Sequence, residues 1–478
     1  MKFDSALQPV QQKPTCVRYI VLGFVCTLSM ITYIDRVVLA SAESHLREAL
    51  NLPSVANLKV AFTAFALAYA IFEIPTGWLG DVFGPRKTLI RIVLWWSFFT
   101  ALTGLIGMPL PGGFVLGLTV LVVIRFLFGM GEAGAYPNIT RALHNWFPTQ
   151  ERGSAQGAVW MSGRLMGGLT PLLWLFLVEG SSEFVLTTAL VSWRQAFWLF
   201  GILGLVWCLF FALWFRNRPE EKASVNEAEC QLICAQRQGE EEAPAGVPWL
   251  TLFTNRNLWI LCLQYFCAAY GWYFNITYLP TFLKEQMGVE KTSLVGALYK
   301  GGPLWLGALG CLLGGFLTDW FIRRTGNRKW GRRVFGIIGH ALCALCYFYC
   351  TFAPSAFLFF LGISLAAFWN DLTMGSAWAT CQDIGRRYAA IVSGCMNTIG
   401  NLGGAVASYA TGAIIEFFLA SRAAALQVRV EDLTAVQKAE GAMPGYQVCM
   451  LTFAAVYAIA VLLWLKIDAT MPVVPDKA

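Results

Sequence analysis

The chain has 478 residues, a net charge of +7 at pH 7 and a mean hydropathy of +0.57. Apolar residue types make up 57% of it and charged types 13%, against about 25% charged residues in ordinary soluble proteins. A soluble fold of this size cannot bury so much apolar surface behind so little charge, and disordered, fibrous and nucleic-acid-binding classes are excluded as well. The basic residues stand in short tracts between apolar runs. The composition therefore indicates a polytopic membrane protein.

The first apolar stretch, 17–40, follows Lys13 and Arg18, so a signal peptide has to be considered. The stretch is long, contains Asp35 and Arg36, and ends without a clear cleavage site. We therefore interpret it as the first membrane span.

Apolar segments long enough to cross a bilayer, about 20 helical residues, recur along the chain. We predict twelve spans, at 17–40, 58–80, 88–107, 115–137, 153–178, 193–215, 258–283, 299–321, 334–352, 356–380, 389–420 and 446–467. The predicted fold is an all-α polytopic membrane protein, with twelve transmembrane helices in two pseudo-symmetric halves.

Basic residues predict the orientation, because Lys and Arg in short loops remain on the cytoplasmic side. The loop after the second span contains Arg86, Lys87 and Arg91. The loop after the eighth span contains Arg323, Arg324, Arg328, Lys329, Arg332 and Arg333 without an acidic residue. Both loops are predicted to be cytoplasmic, and an even number of spans then places both termini in the cytoplasm as well.

A polar stretch, 216–250, follows the sixth span and includes an acidic run at 240–242. We interpret it as a cytoplasmic linker between an N-terminal half, 1–215, and a C-terminal half, 251–478. The halves share a pattern, because G-x-L-x-D-x-F occurs at 77–83, closing the second span, and again at 315–321, closing the eighth. Internal repeats of spans are typical of secondary transporters.

Three motifs connect the chain with a known family. The sequence Gly77-x-x-x-Asp81-x-x-Gly84-x-Arg86-Lys87 resembles the signature loop of the major facilitator superfamily, and a degraded copy follows the eighth span. Within that superfamily, the motifs at 33–36, 125–137 and 146–152 resemble the anion:cation symporter family. These motifs read Y-I-D-R, R-F-x-x-G-x-x-E-A-G-x-x-P and W-F-P-x-x-E-R. The resemblance covers nearly the whole chain.

The resemblance implies proton-coupled import of a small organic anion such as a hexuronate, aldonate or aldarate, by alternating access. Uniport or export of organic anions, and a non-transporting nutrient sensor, stay open as alternatives. The implied setting is a multi-pass protein of the cell membrane, monomeric, with the bilayer and an anionic substrate as partners and no nucleic acid. The only coupling species implied is the proton.

Five charged residues are candidates for charges near the middle of membrane helices, where a charge costs about 2.5–3.5 kcal/mol on insertion scales and is retained for a reason. They are Asp35, Arg36, Arg125, Glu132 and Arg164. A carrier of anions needs cations and a proton acceptor at this depth, so we interpret the set as a transport site. The alternative is that the charges only pair with each other and hold helices together.

Arg125 and Glu132 are seven residues apart and so share a helix face. We predict a switchable pair, in which protonation of Glu132 frees Arg125 to bind a carboxylate through its planar fork. The family resemblance implies the same roles. Asp35 is interpreted as a second protonation site and Arg36 as a substrate contact or partner, with an outer-surface salt bridge as the alternative for Arg36.

Arg164 departs from the resembled pattern, in which a neutral amide is more usual. A further arginine suggests a more anionic substrate, whereas the alternative is a pair with Asp371 across the halves. Polar side chains in spans one, two, seven and eleven are candidate contacts to a sugar acid, with packing as their alternative. They are Tyr33, Tyr69, Gln264, Asn397 and Asn401.

Charged residues after spans two and eight are predicted to latch a cytoplasmic gate, because carboxylates capped by helix N-termini or arginines must separate as the halves rock. They are Asp81, Arg86, Lys87, Asp319 and Arg323. A static cluster that only sets topology is the alternative. For Glu73 the sequence leaves a gate residue and a capped structural acid equally open.

The fourteen cysteines lie within apolar stretches, and Cys343 and Cys346 form a C-x-x-C pattern inside one of them. With only three histidines, widely separated, we interpret these cysteines as packing residues. No P-loop, metal-ligand spacing or nucleophile constellation was found, so the sequence predicts no metal site, no cofactor and no enzyme.

Overall fold

The computed structural model describes residues 13–52, 58–109, 115–179, 189–235, 246–289 and 294–475. The described part of the chain is helical and contains no strand. The helices before the linker are α1 (Val17–Ser41), α2 (Glu43–Ala49), α3 (Lys59–Phe83), α4 (Pro85–Thr103), α5 (Leu118–Glu132), α6 (Ala135–Trp146), α7 (Arg152–Trp174) and α8 (Trp193–Trp214). Those that follow are α9 (Glu227–Cys234), α10 (Trp249–Thr254), α11 (Arg256–Thr277), α12 (Leu279–Glu285), α13 (Leu294–Thr325), α14 (Arg328–Cys350), α15 (Ala356–Leu372), α16 (Met374–Gly385), α17 (Ala389–Ala425) and α18 (Ala435–Trp464).

Nine helical stretches within these residues are long and apolar enough to cross a membrane. The longest of them, Ala356–Ala425, contains the tenth and eleventh predicted spans. The third and seventh predicted spans correspond to α4 and α11, whose 19 and 22 residues also suffice for a crossing. The all-α polytopic architecture is thus confirmed. We call α1–α8 the first half and α10–α18 the second half.

Three predicted spans are divided into two helices each, and the seventh span is divided at Tyr278 into α11 and α12. The fourth, predicted at 115–137, becomes α5 and α6, which are separated by Ala133 and Gly134. Gly134 has φ +83°, a backbone conformation that residues with a side chain rarely adopt. The Asn138 amide donates to the carbonyl oxygens of Gly134 at 2.8 Å and Thr76 at 3.2 Å, which fixes this turn against α3. The tenth span is divided at Thr373 into α15 and α16.

The linker is partly structured and attached to the first half. Its helix α9 presents Glu229, which accepts hydrogen bonds from the Thr15 hydroxyl at 2.5 Å and the Arg18 guanidinium at 2.9 Å. Arg18 also pairs with Glu151 at 2.9 Å, just before α7 begins. The predicted acidic run at 240–242 lies outside the described residues.

At the end of the molecule that carries the basic loops, two aspartates join the halves. The Asp81 carboxylate, at the end of α3, accepts backbone N–H groups of Ala390 at 3.1 Å and Ile391 at 2.8 Å, in the first turn of α17. The Asp319 carboxylate of α13 accepts those of Gly153 at 3.1 Å and Ser154 at 2.5 Å, in the first turn of α7. These N–H groups have no partner within their own helices, and a helix N-terminus favours a negative charge.

The repeated sequence motif explains this symmetry. In each copy a glycine stands one helical turn before the aspartate, on the same face. A Cβ at Gly77 would lie 2.7 Å from the Ala390 carbonyl oxygen, and one at Gly315 would collide with the Gly153 carbonyl oxygen. The glycine therefore lets the helix N-terminus of the other half approach, and the aspartate then binds it.

Arginines complete this closed end. Arg332 of the second half contacts Asp319 and Asp383, each at 3.0 Å, and donates to the Thr149 carbonyl oxygen of the first half at 3.1 Å. Asp383 also pairs across the halves with Arg152 at 3.0 Å. The closed end therefore contains a buried network that includes charges from both halves.

The five predicted latch residues fall into two groups. Three of them contact the opposite half. Asp81 and Asp319 accept the backbone N–H groups described above, and Arg323 donates to the Gln150 carbonyl oxygen at 3.2 Å. For Arg86 and Lys87 the predicted contact with the opposite half was wrong. The side chain of Arg86 donates to the Ala212 carbonyl oxygen of its own half, and exposed Lys87 has no contact with the second half within the described residues. Both follow the end of α3, beyond the face that meets α17.

We expect replacement of either aspartate by alanine to loosen only the helix that it holds. In Asp81→Ala the first turn of α17 should exchange its amide hydrogens at least about tenfold faster, because one hydrogen bond to a charged group contributes about 1.5–3 kcal/mol. In Asp319→Ala the first turn of α7 should respond instead. Hydrogen–deuterium exchange mass spectrometry measures both turns in each variant, so each variant is the control for the other. Equal acceleration at both turns would contradict this assignment.

Candidate functional site

A cavity of about 370 Å³ lies between the two halves. That volume is within the range of small-molecule sites, and its walls are mainly aromatic with a few polar groups, as such sites usually are. The first half contributes Tyr33, Arg36, Phe65, Tyr69, Tyr136, Trp160 and Arg164 among others, and the second half contributes Tyr265, Trp272, Tyr273, Asn370, Asn397 and Asn401 among others.

The cavity begins near the middle of the helices and extends away from the closed end. Trp160 is eight residues into α7, about 12 Å from the N-terminus of that helix at 1.5 Å per residue. At the other extreme, Ala40 and Ile276 line the cavity from the last turns of α1 and α11. The cavity is thus separated from the end that carries the basic loops.

Aromatic side chains of both halves form the floor of the cavity. Tyr136 and Trp160 of the first half stack with ring centroids 4.4 Å apart. Trp378 of the second half is fully buried against them, 5.1 Å from Trp160, and its indole N–H donates to the Tyr265 hydroxyl at 3.1 Å. This layer lies between the cavity and the charged network of the closed end.

The charged group with most access to the cavity in the first half is Arg36. Its guanidinium pairs with the buried Glu132 carboxylate at 2.5 Å and lies 4.7 Å from the centre of the Tyr69 ring. The Arg36 side chain is 28% exposed, so part of it faces the cavity, whereas Glu132 is closed off behind it. A guanidinium with a partly open face can bind an anion.

The Glu132 carboxylate pairs with Arg36 and not, as predicted, with Arg125. Seven-residue spacing places Arg125 and Glu132 on one face, but the partner that reaches Glu132 is Arg36 from α1. Arg125 is buried and packs on the rings of Phe128 at 4.3 Å and Phe65 at 5.0 Å, and it does not line the cavity. Of the two arginines predicted as substrate contacts in these helices, Arg36 lines the cavity and Arg125 does not.

Asp35 is next to Arg36 but points away from the cavity, into the first half. Its side chain is 3% exposed, and apart from the nearby Thr100 hydroxyl its carboxylate has no hydrogen-bond donor within the described residues. The charged groups that act on it are Glu132 and Arg125. Adjacent residues in a helix point about 100° apart, which separates Asp35 from the cavity that Arg36 lines.

Arg164 contacts the second half, as the alternative interpretation of that residue predicted. Its Nε donates to one oxygen of Asp371 at 2.8 Å and its Nη2 to the other at 3.3 Å. Its Nη1 donates to the Tyr33 hydroxyl at 2.6 Å, and its guanidinium lies 4.0 Å from the centre of the Trp272 ring. Arg164 nevertheless lines the cavity, so pairing and access to a ligand coexist.

Amides of the second half hold Glu73, for which the sequence left two interpretations open. The carboxylate accepts hydrogen bonds from the side-chain amides of Asn397 and, at 3.4 Å, Asn401. Asn401 in turn accepts from the Tyr273 hydroxyl at 3.1 Å. Glu73 is thus a buried acid that joins α3 to α17 beneath the cavity wall.

One predicted contact residue does not reach the cavity. Gln264 is fully buried, its two polar side-chain atoms have no hydrogen-bond partner within the described part of the chain, and it is not a wall residue. Its neighbour Tyr265 lines the cavity instead. Tyr33, Tyr69, Asn397 and Asn401 lie in the wall, at the places that the sequence suggested.

From the sequence, Asp371 was predicted only as an alternative partner of Arg164, and Asp383 was not predicted at all. Asp371 and Asp383 are buried in or next to a predicted span, so the test that selected Asp35 would also have selected Asp371 as a primary candidate. The sequence analysis also overlooked a surface group in the linker. Cys230 and Cys234 have sulfur atoms 3.8 Å apart, and these two thiols and the Glu220 carboxylate could together hold a metal ion.

Known proteins match this chain over most of its length. A sequence profile of the Major Facilitator Superfamily matches residues 25–408. The probable sulfoacetate transporter of Cupriavidus necator is 36% identical, over 84% of this chain and 87% of its own length. The probable galactarate/D-glucarate transporter of Bacillus subtilis is 29% identical over 88% and 89%, and the D-galactonate transporter of Escherichia coli is 28% identical over 82% and 88%.

Solved structures match the fold. A proton:xylose symporter bound to 6-bromo-6-deoxy-D-glucose has a TM-score of 0.71 and 14% identity, over 94% of this chain and 95% of that one. The fucose:proton symporter of Escherichia coli has a TM-score of 0.63 and 13% identity, over 94% and 99%. With its apolar helices, the chain is a multi-pass membrane protein. The profile match and these relatives confirm the family resemblance, and the chain belongs to the major facilitator superfamily and, within it, to the anion:cation symporter family.

Proposed function

We propose that this protein is a proton-coupled symporter that imports a small organic anion, of the class of hexuronates, aldonates and aldarates, by alternating access. The observation that carries the proposal is the pair of Arg36 and Glu132, in which a cavity arginine is held by a buried carboxylate. The relatives named as galactarate, glucarate and galactonate transporters support the substrate class.

Coupling follows from competition for one guanidinium. While Glu132 is ionised, its carboxylate occupies Arg36, and a substrate carboxylate would have to displace a buried charge. A proton on Glu132 removes that charge and leaves the fork of Arg36 to bind the substrate. Proton binding and anion binding then favour each other, and linkage makes the effect reciprocal.

Asp35 provides a second candidate for protonation. An ionised carboxylate in a buried site with no donor beyond the Thr100 hydroxyl has a large desolvation cost, and a bound proton removes it. The proximity of Glu132 connects the two acids, because two negative charges near each other are unfavourable. We assign Asp35 and Glu132 to proton coupling and Arg36 to substrate binding.

The remaining wall suits a polyhydroxylated acid. The amides of Asn397 and Asn401 and the hydroxyls of Tyr33 and Tyr69 can exchange hydrogen bonds with sugar hydroxyls, while the aromatic rings pack on the apolar faces of the carbon chain. Transport then requires that the contacts of the closed end break as the halves rock. In this proposal the basic loops and both termini face the cytoplasm, in the cell membrane.

We expect Arg36→Lys to reduce substrate uptake at least about tenfold with little loss of expression, because an ammonium group cannot make the two parallel hydrogen bonds of a guanidinium. The measurement is uptake of labelled galactonate and galactarate by proteoliposomes. Arg324→Lys is the matched control, since Arg324 is exposed at the opposite end from the cavity. Wild-type uptake in Arg36→Lys would refute the assignment of Arg36.

Glu132→Gln should separate binding from coupling, because glutamine resembles the protonated acid and leaves Arg36 available. We expect this variant to exchange labelled substrate between two loaded sides of a vesicle yet fail to accumulate it when a proton gradient is imposed. Exposed Glu285→Gln is the control. If Glu132→Gln still accumulates substrate on the gradient, proton coupling does not depend on Glu132. Wild-type uptake that only equilibrates the substrate, whatever proton gradient is imposed, would indicate uniport.

A further inference from the structure

We infer that Arg164 forms a second anion subsite of the cavity, that the Asp371 carboxylate occupies this subsite until a substrate displaces it, and that the substrate is therefore an organic acid with two anionic groups. The inference rests on the proposed function, and it narrows the substrate class from organic anions in general to dianions.

The contacts of Arg164 already have the geometry of anion recognition. Its Nε and Nη2 donate to the two oxygens of Asp371, at 2.8 and 3.3 Å, in the forked arrangement by which arginine binds carboxylates and other planar or tetrahedral anions. The remaining guanidinium nitrogen, Nη1, donates to the Tyr33 hydroxyl oxygen at 2.6 Å. Asp371 thus supplies the same pair of oxygens that a substrate carboxylate, sulfonate or phosphonate would supply.

The subsite lies in the cavity and is shielded from bulk water. Arg164 is a wall residue whose side chain is 5% exposed, and the Trp272 ring lies 4.0 Å from its guanidinium. An unpaired guanidinium in such surroundings is costly. Arg164 must therefore always hold an anion, which is Asp371 between transport events and the substrate during them.

Asp371 keeps one hydrogen-bond donor when it is displaced from Arg164. The Asn370 side-chain amide, itself a wall group, donates to its Oδ1 at 3.1 Å. Gly307 of α13 faces its Oδ2, at a place where a side chain would intrude on the carboxylate. The carboxylate therefore keeps the Asn370 donor when Arg164 turns to a ligand, and the absence of a side chain at Gly307 is what allows it to lie there.

Two arginines now face one cavity from the same wall. The Arg36 guanidinium lies 5.9 Å from the centre of the Tyr136 ring, and that of Arg164 lies 5.5 Å from the centre of the Trp160 ring, while these two rings stack at 4.4 Å. A single small acid lying along the stacked rings can present one anionic group to each arginine. A monoanion satisfies only one of them.

The second subsite also affects the movement of the halves. Arg36 and Glu132 belong to the same half, whereas Arg164 belongs to the first half and Asp371 to the second. A ligand that binds only Arg36 leaves the cross-half pair intact. A dianion replaces that pair with a contact to the substrate, so it releases one of the contacts that hold the halves together.

The test compares ligands that differ by one anionic group. We would titrate the protein in nanodiscs by calorimetry with galactarate and galactonate, which share six carbons, and with sulfoacetate and propionate as a shorter pair. The wild type should bind a dianion at least tenfold more tightly than its partner monoanion. Arg164→Gln should lower dianion affinity at least tenfold and monoanion affinity less than threefold. Arg324→Gln, at an exposed site outside the cavity, is the control for a general loss of positive charge.

Asp371→Asn makes the test decisive, because it removes the internal competitor while keeping the size of the side chain. The proposal expects this variant to bind the dianion at least threefold more tightly than the wild type, opposite in sign to Arg164→Gln. A purely structural ion pair predicts that both variants lose affinity and thermal stability, with no change in preference between dianion and monoanion. That outcome, or equal losses for both ligands of a pair, would overturn the subsite while leaving anion symport intact. If the wild type binds none of the four acids, the proposed function fails, and the subsite with it.

Discussion

A charge that is buried among membrane helices is costly unless an opposite charge or several hydrogen-bond donors compensate it. In this protein much of that compensation comes from the other half of the molecule. The Asp81 carboxylate depends on the first turn of α17, Glu73 depends on Asn397, and Arg164 depends on Asp371. The halves cannot separate at one of these places without leaving a buried group unsatisfied, so the contacts should change together. This constraint favours two well-defined arrangements over a continuum.

Sequence predicted the features that depend on periodicity or repetition. The length of the apolar segments predicted the spans. The repeated pattern of glycine and aspartate predicted that Asp81 and Asp319 bind helix N-termini. Ion pairs between side chains of different helices were harder to predict from the sequence. Spacing along a helix shows that Arg125 and Glu132 share a face, but it cannot show that Arg36 of another helix forms the ion pair with Glu132. The turn at Gly134 could not be placed either, because glycines are common in membrane helices and only tertiary contacts decide which one bends.

The two cavity arginines differ in what they respond to. Arg36 is bound within its own half, so in the mechanism that we propose its pairing changes with proton and substrate but not directly with the relative position of the halves. Arg164 is bound across the halves, so in the same proposal its pairing changes with both substrate and conformation. The first half thus supplies most of the charge, whereas the second supplies amides such as Asn370 and Asn397 and the competing carboxylate of Asp371.

The attachment of α9 through Glu229 has a mechanical consequence. Because α9 is bound to the start of α1, it should travel with the first half as one body. The tether between the moving bodies is then only the segment from Ala235 to Pro248, just before α10. Relative movement of the halves must therefore be accommodated by the chain that follows α9, and not by the whole stretch between α8 and α10.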